Sequence, residues 1–263
     1  MYRIAVVADS HCGHMLGLTP PAWRVSARVD SRLHRAQNDM WRRYSELVEH
    51  VVRPPVDVLF TLGDLVEGPQ SAFRGVELVE PDVLGQCEMA AQVLRMMEAR
   101  TVYMVRGSLY HVGEAEEFED VIAKELGADI ANEMLVRVDK VTFHLEHFVG
   151  RSSIVHGRAT PLARDWLVNV LLASHGAMER AQVILRGHVH YHAYVGGTGW
   201  LAMAVPALCY GGGKIRRRVK GMAEFGLVVF EVDGGEFRWV AEATPVVHEC
   251  AVVREVRPRE AKS

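Results

Sequence analysis

"QVILRGHVHYH", residues 182–192, places an aliphatic run before Gly187 and then three histidines at alternate positions, His188, His190 and His192. A short apolar run closed by glycine reads as a buried strand. Imidazoles grouped at its end signal metal or proton chemistry there. The same form recurs in "RIAVVADSH" (3–11), "VDVLFTLGD" (56–64), "TVYMVRG" (101–107) and "SSIVHG" (152–157). Each is read as a strand with a polar carboxyl end, which is where α/β sheets keep their ligands.

Helical spacing separates these runs. Met40, Tyr44, Leu47, Val48 and Val51 predict a helix over 36–52, and two more are expected over 82–99 and 162–180. "MLVRVDKVTFHLEHF" (134–148) and "FGLVVFEVDGGEFRWV" (225–240) read instead as hairpins, the second turning at "DGG". Parallel and antiparallel signals together predict an α/β fold, a two-sheet mixed β-sandwich flanked by helices. One domain over 1–250 is expected, with 12–30 ("GLTPPAW" within it) as a candidate cap loop and 251–263 as a polar tail.

The 263 residues are 49% hydrophobic and 24% charged, with a formal net charge of −3, an ordinary globular mixture. That charge argues against a globally basic nucleic-acid coat and leaves only a local patch. Cys12, Cys87, Cys209 and Cys250 form no CxxC pair, so a zinc knuckle or disulfide framework is not indicated and a cytoplasmic setting is expected. No apolar run approaches the roughly 20 residues of a membrane span. "MYRIAVVADS" reaches an aspartate too soon for a secretory leader.

Asp9 and His11 follow the first strand two residues apart, which a pleated chain would aim to one side. Asp64 in "GDLVEG" follows the second and offers two oxygens to bridge cations. His156 in "VHG" and His188 and His190 in "GHVH" add imidazoles, giving a mixed nitrogen and oxygen set suited to transition metals. Singly each is common; their order along the chain carries the specificity.

That order, DxH, GD, a third block, H and GHxH, resembles the calcineurin-like metallophosphoesterase superfamily. The resemblance spans Asp9 to His190. It implies a four-layer α/β/β/α fold with one metal held by Asp9, His11, Asp64 and His190. A second would be held by Asp64, His156 and His188, with Asp64 bridging. Two divalent ions are implied, Mn2+ first, with Zn2+, Fe2+ or Ni2+ as alternatives. The third block departs from GNH: "RGSLYH" has Ser108 in the asparagine position and His111 two residues further on, similar to a variant of phage and archaeal members. Ser108 is carried as a ligand of the second metal, although a hydroxyl coordinates more weakly than an amide carbonyl. His111 is carried as the catalytic residue.

The expected reaction is hydrolysis of a phosphate ester by metal-activated hydroxide, with His111 stabilising charge or protonating the leaving group. A phosphodiester, DNA among the options, is the first substrate reading. The alternatives are a phosphomonoester or a catalytically silent, metal-stabilised nucleic-acid-binding module. The basic run "KIRRRVK" (214–220), with Arg216 and Arg217, is the candidate substrate-binding segment. His14 and His192 are read as loop histidines. His144 and His147, three apart, are expected on opposite strand faces and receive no chemistry. The chain lacks the G-x-S-x-G elbow of serine hydrolases and the P-loop signature. An amidohydrolase would place HxH first and its aspartate late, the reverse of the order found.

Overall fold

A computed structural model describes residues 1–24, 31–70, 74–112, 117–152, 154–211 and 223–246. Eleven strands and five α-helices are assigned among them. Sheet one joins β1 (Tyr2–Val7), β2 (Val58–Thr61), β3 (Thr101–Val105), β4 (Asp129–Ala131), β10 (Glu224–Asp233) and β11 (Glu236–Pro245) in the order β11-β10-β1-β2-β3-β4. Sheet two joins β5 (Glu133–Val138), β6 (Val141–Glu146), β7 (Val183–Arg186), β8 (Ala193–Gly197) and β9 (Trp200–Ala204) in the order β5-β6-β7-β9-β8. The runs β1-β2-β3-β4 and β6-β7-β9 are parallel, and the hairpins β5-β6 and β10-β11 are antiparallel.

Period-two alternation sorts β1 between two cores. Ile4 and Val6 pack with Phe60, Phe143, Leu145, Leu185 and Phe230 between the sheets. Ala5 and Val7 pack outward with Met40, Tyr44 and Val48 of α1 (Ser31–Val51), Val93 of α2 (Val83–Arg95) and Ile122 of α4 (Phe118–Leu126). Beyond sheet two, Leu162 of α5 (Thr160–Ser174) covers Ile184, Ala202 and Ala204. The chain is thus a two-sheet mixed α/β sandwich with helices on both outer faces. The remaining helix, α3 (Leu109–Val112), is a single turn.

Three expectations shift. The described residues of "SSIVHG" do not form the expected strand: Ser152 Oγ accepts from the Ile154 N–H at 3.2 Å and donates to its carbonyl at 3.1 Å, and Val155–Gly157 forms a 3-10 turn. Two apolar residues beside a serine-closed turn cannot outweigh that local bonding, and Ile154 and Val155 stay exposed. The second helix is shorter than expected, starting where the Asp82 carboxylate accepts from Leu84 N and ending at Arg95. The third stops at Ser174, because Gly176 at φ 68° turns the chain out of the helix.

Within the candidate cap loop, Cys12 to Pro20 is mostly buried and tied to the loop after β2: Cys12 N donates to the Leu65 carbonyl at 2.9 Å and Met15 N to that of Glu77 at 2.8 Å. Residues 25–30 and the tail 251–263 lie outside the described residues. Among the described residues no helix is long and apolar enough to cross a membrane.

Candidate metal centre

Strands β1, β2, β3, β6 and β7 each run into a loop at one end of the sandwich, and those loops carry the site. They are stitched together by backbone bonds: Asp9 N to the Gly63 carbonyl (3.0 Å), His11 N to that of Asp64 (3.0 Å) and Gly187 N to that of His147 (3.0 Å). Asp9 and His11 lie beyond the end of β1, so the pleat does not aim them. Asp9 (φ 54°), His11 (φ 43°), Asp64 (φ 51°), His188 (φ 71°) and His190 (φ 58°) all adopt left-handed backbone. Such a conformation costs about 1–3 kcal/mol per non-glycine residue and concentrates at functional sites. Here it falls on five residues of the expected ligand set.

Glycine permits the crowding. A Cβ at Gly107 would fall on the Asp64 backbone nitrogen and carboxylate, and Gly63, at φ 78°, packs directly against Gly107.

Asp64 is the hub. Its carboxylate lies with His11 and His111 in one group of donor atoms, all within 4.8 Å of one another, and with His147 and His188 in another. Asp9 Oδ1 adjoins His190 Nε2 at 3.3 Å, and His190 Nε2 adjoins His11 Nε2 at the same distance. The outer partners set the imidazole tautomers. His147 Nδ1 faces the Leu62 carbonyl at 2.6 Å, which only accepts, so Nδ1 carries the proton and Nε2 faces Asp64 Oδ2 at 3.1 Å. His11 Nδ1 bonds to Glu67 Oε2 at 2.9 Å. His190 Nδ1 adjoins Cys209 Sγ at 3.3 Å. In each case Nε2 is left pointing inward, the arrangement found around ligating histidines.

Buried charge follows the same geometry. Burial alone would raise the Asp64 carboxyl, but His147 and, further off, His111 and His11 hold it well below the usual carboxylate range. Asp9 is likewise lowered, with burial outweighed by His190 and His147. Burial opposes the charge of His147, yet Asp64 and Asp9 raise it to about 10. His188 goes the other way: burial, and then the charge of His147, lower it to about 4. Anionic carboxylates thus face inward imidazole nitrogens and neutralise themselves with protons. Divalent cations suit that donor set, because they replace those protons and use the same inward lone pairs.

The structure brings Asp9, His11, Asp64, Ser108, His111, His188 and His190 together. Ser108 N donates to Asp64 Oδ1 at 2.7 Å, with its Oγ 3.1 Å from the same oxygen. His111 donates from Nδ1 to the Glu67 carbonyl at 2.8 Å, with Nε2 3.9 Å from Asp64 Oδ2. His156 is not brought there: it sits exposed on the 3-10 turn, and His147, buried at the end of β6, stands in its place. The opposite-face reading of His144 and His147 holds, but the inner face leads to Asp64, so His147 belongs to the site. Arg216 and Arg217 lie outside the described residues. His14, buried beside Glu77, and His192, whose N–H donates to Glu224, belong to none of the donor groups.

Sequence reading also passed over three supports. Glu67 joins His11 to Gln70, whose amide donates to it at 2.7 Å. Cys209 backs His190. Glu119, fully buried on α4, accepts from Leu65 N (2.8 Å) and Gly107 N (2.7 Å), tying together the two loops that carry Asp64 and Ser108. Burial raises its carboxyl to about 7. Of these, only Glu67, three residues after Asp64, lay inside a motif already singled out.

No family model matches the chain, and no curated protein does. Among solved structures it is similar to an archaeal phosphodiesterase at 12% identity, covering 91% of this chain and 99% of that one, TM-score 0.47. It is similar to Vps29 of Entamoeba histolytica solved with zinc at 12% identity, covering 93% and 99%, TM-score 0.45. A third similarity is to a predicted phosphoesterase of Streptococcus pneumoniae at 14% identity, covering 92% and 98%, TM-score 0.38.

Proposed function

We propose that the chain is a metal-dependent phosphoesterase acting on a phosphodiester through a dinuclear centre. The observation that carries this reading is the position of Asp64, one buried carboxylate shared between two groups of histidine donors. Asp9, His11, Asp64 and His190 would hold one cation, and Asp64, His147, His188 and Ser108 the other. Such cations supply Lewis acidity that acidifies water and neutralises phosphoryl oxygens.

The protein's own part is positioning and proton handling. Backbone bonds from Gly63, Asp64 and His147 lock the ligand loops, and Glu67 and the Leu62 carbonyl fix two imidazole tautomers. His111, with Nδ1 committed to the Glu67 carbonyl, presents Nε2 to the centre. Neutral, it accepts a hydrogen bond there; protonated, it offers a proton to a departing alkoxide. The Ser108 hydroxyl, shorter than an amide, would make the second cation the more weakly held. The resemblance of the third block to phage and archaeal members supports the diester.

The test is Mn2+-dependent hydrolysis of bis(p-nitrophenyl) phosphate beside p-nitrophenyl phosphate, using chelated and reloaded protein. Faster turnover of the diester is expected. A monoester preference would replace the diester reading with a phosphatase, and no turnover of either would overturn the enzyme.

A further inference from the structure

A cavity of about 520 Å³ opens between β6, β7 and α5, on the face of sheet two turned away from the inter-sheet core. Its floor is a closed set of charges. Arg186, 2% exposed, pairs with Asp165 at 3.0 Å and Glu146 at 3.2 Å, while His144 Nε2 bonds to Glu133 at 2.6 Å. These mutual pairs hold the walls in place without a ligand.

Two residues belong both to this cavity and to the edge of the metal centre. Phe148, directly after His147, lines the cavity while its ring centroid lies 4.9 Å from that of His188. Arg151 lines it too and donates to the His188 carbonyl at 3.3 Å. Phe148 is 59% exposed, so its ring is open to a ligand at the mouth of the cavity. A group attached to a phosphate at the cations and extending past His188 would meet the Phe148 ring and, beyond it, the cavity.

We infer that this cavity is the subsite for the nucleobase of a nucleotide substrate, with Phe148 as its stacking platform. The inference rests on reading the metal centre as a phosphoester site and adds the class of alcohol esterified. A base has an apolar face and an edge of mixed donors and acceptors. The cavity offers the aromatic face of Phe148, aliphatic Val168, the carboxylate oxygens of Glu133 and Glu146 other than those paired with His144 and Arg186, and a guanidinium donor at Arg164. The volume lies within the roughly 300–1,000 Å³ of small-molecule sites. A lipid chain would find charges along the floor, and a bare phosphomonoester would leave the cavity unused.

The test is calorimetric titration of the Mn2+-loaded full chain with adenosine and thymidine 5′-monophosphates, beside ribose 5-phosphate. Stacking on an aromatic ring predicts at least about fivefold tighter binding of the nucleotides. Phe148→Ala, which removes the platform, and Val168→Trp, which fills the cavity from α5, should each lower nucleotide affinity to that of the sugar phosphate. Equal affinities in the wild type, or a nucleotide preference that survives both substitutions, would overturn the inference. Hydrolysis of methyl p-nitrophenyl phosphate, a diester without a base, is measured in parallel. Its failure counts against the phosphodiesterase reading alone, because the binding comparison needs no turnover.

Discussion

At the scale of single residues, the site is decided by which histidine completes the second group of donors. His147 points its Nε2 at Asp64 from 3.1 Å, whereas His156 is exposed on a turn. His147→Ala should abolish binding of the second Mn2+ and lower diester turnover by about 100-fold or more, as loss of an electrostatic stabiliser of the phosphoryl charge does. His156→Ala should leave both unchanged, and the reverse pattern in metal content would refute the assignment. A second expectation follows from charge. Without cations, Asp64 and Asp9 raise His147 to about 10, so it is protonated at neutral pH. Metal binding at Nε2 must expel that proton. Titration at pH 7 in buffers of different ionisation enthalpy should show at least one proton released, with affinity rising as pH rises. Binding with no proton released would contradict it.

At the scale of elements, the loops after β2 and β3 depend on Glu119 of α4, which bridges Leu65 N and Gly107 N from full burial. Burial raises this carboxyl from 4.5 to about 7, so the fold favours its neutral form. The stability it gives is fully present below pH 4.5 and is lost as pH rises through about 7. In chelated protein, Glu119→Gln should remove about 2.5 kcal/mol of that decline, read from urea unfolding at pH 5 and pH 8. Parallel pH profiles for the two proteins would rule this out. Elements also explain what the sequence made legible. Asp9, His11, Asp64, Ser108, His111, His188 and His190 were readable because each follows its apolar run within a few residues, and local order along the chain survives folding. His147 was missed because its role depends on β6 ending at Glu146 with its inner face turned towards Asp64. "SSIVHG" was misread because a serine-closed turn competes with a strand only two apolar residues long. Glu119 and Cys209 carry no local pattern at all. Their roles are contacts of 54 residues, from Glu119 to Leu65, and 19 residues, from Cys209 to His190, along the chain.

At the scale of the whole molecule, both sheets deliver parallel strand ends to one edge of the sandwich. Sheet one brings Asp9, His11, Asp64, Ser108 and His111, and sheet two brings His147, His188 and His190. Cations at Asp64 would therefore join the two sheets. By mass action, Mn2+ at 100 times its dissociation constant should stabilise the fold by about 2.7 kcal/mol per site. The proposed chemistry depends on one carboxylate, that of Asp64, serving two metals. Electron paramagnetic resonance of the Mn2+-titrated chain tests it directly. Two ions per chain, with a spin-coupled spectrum replacing the isolated six-line signal and lost in Asp64→Ala, is the predicted result. A single ion, or two that remain magnetically independent, would contradict the account.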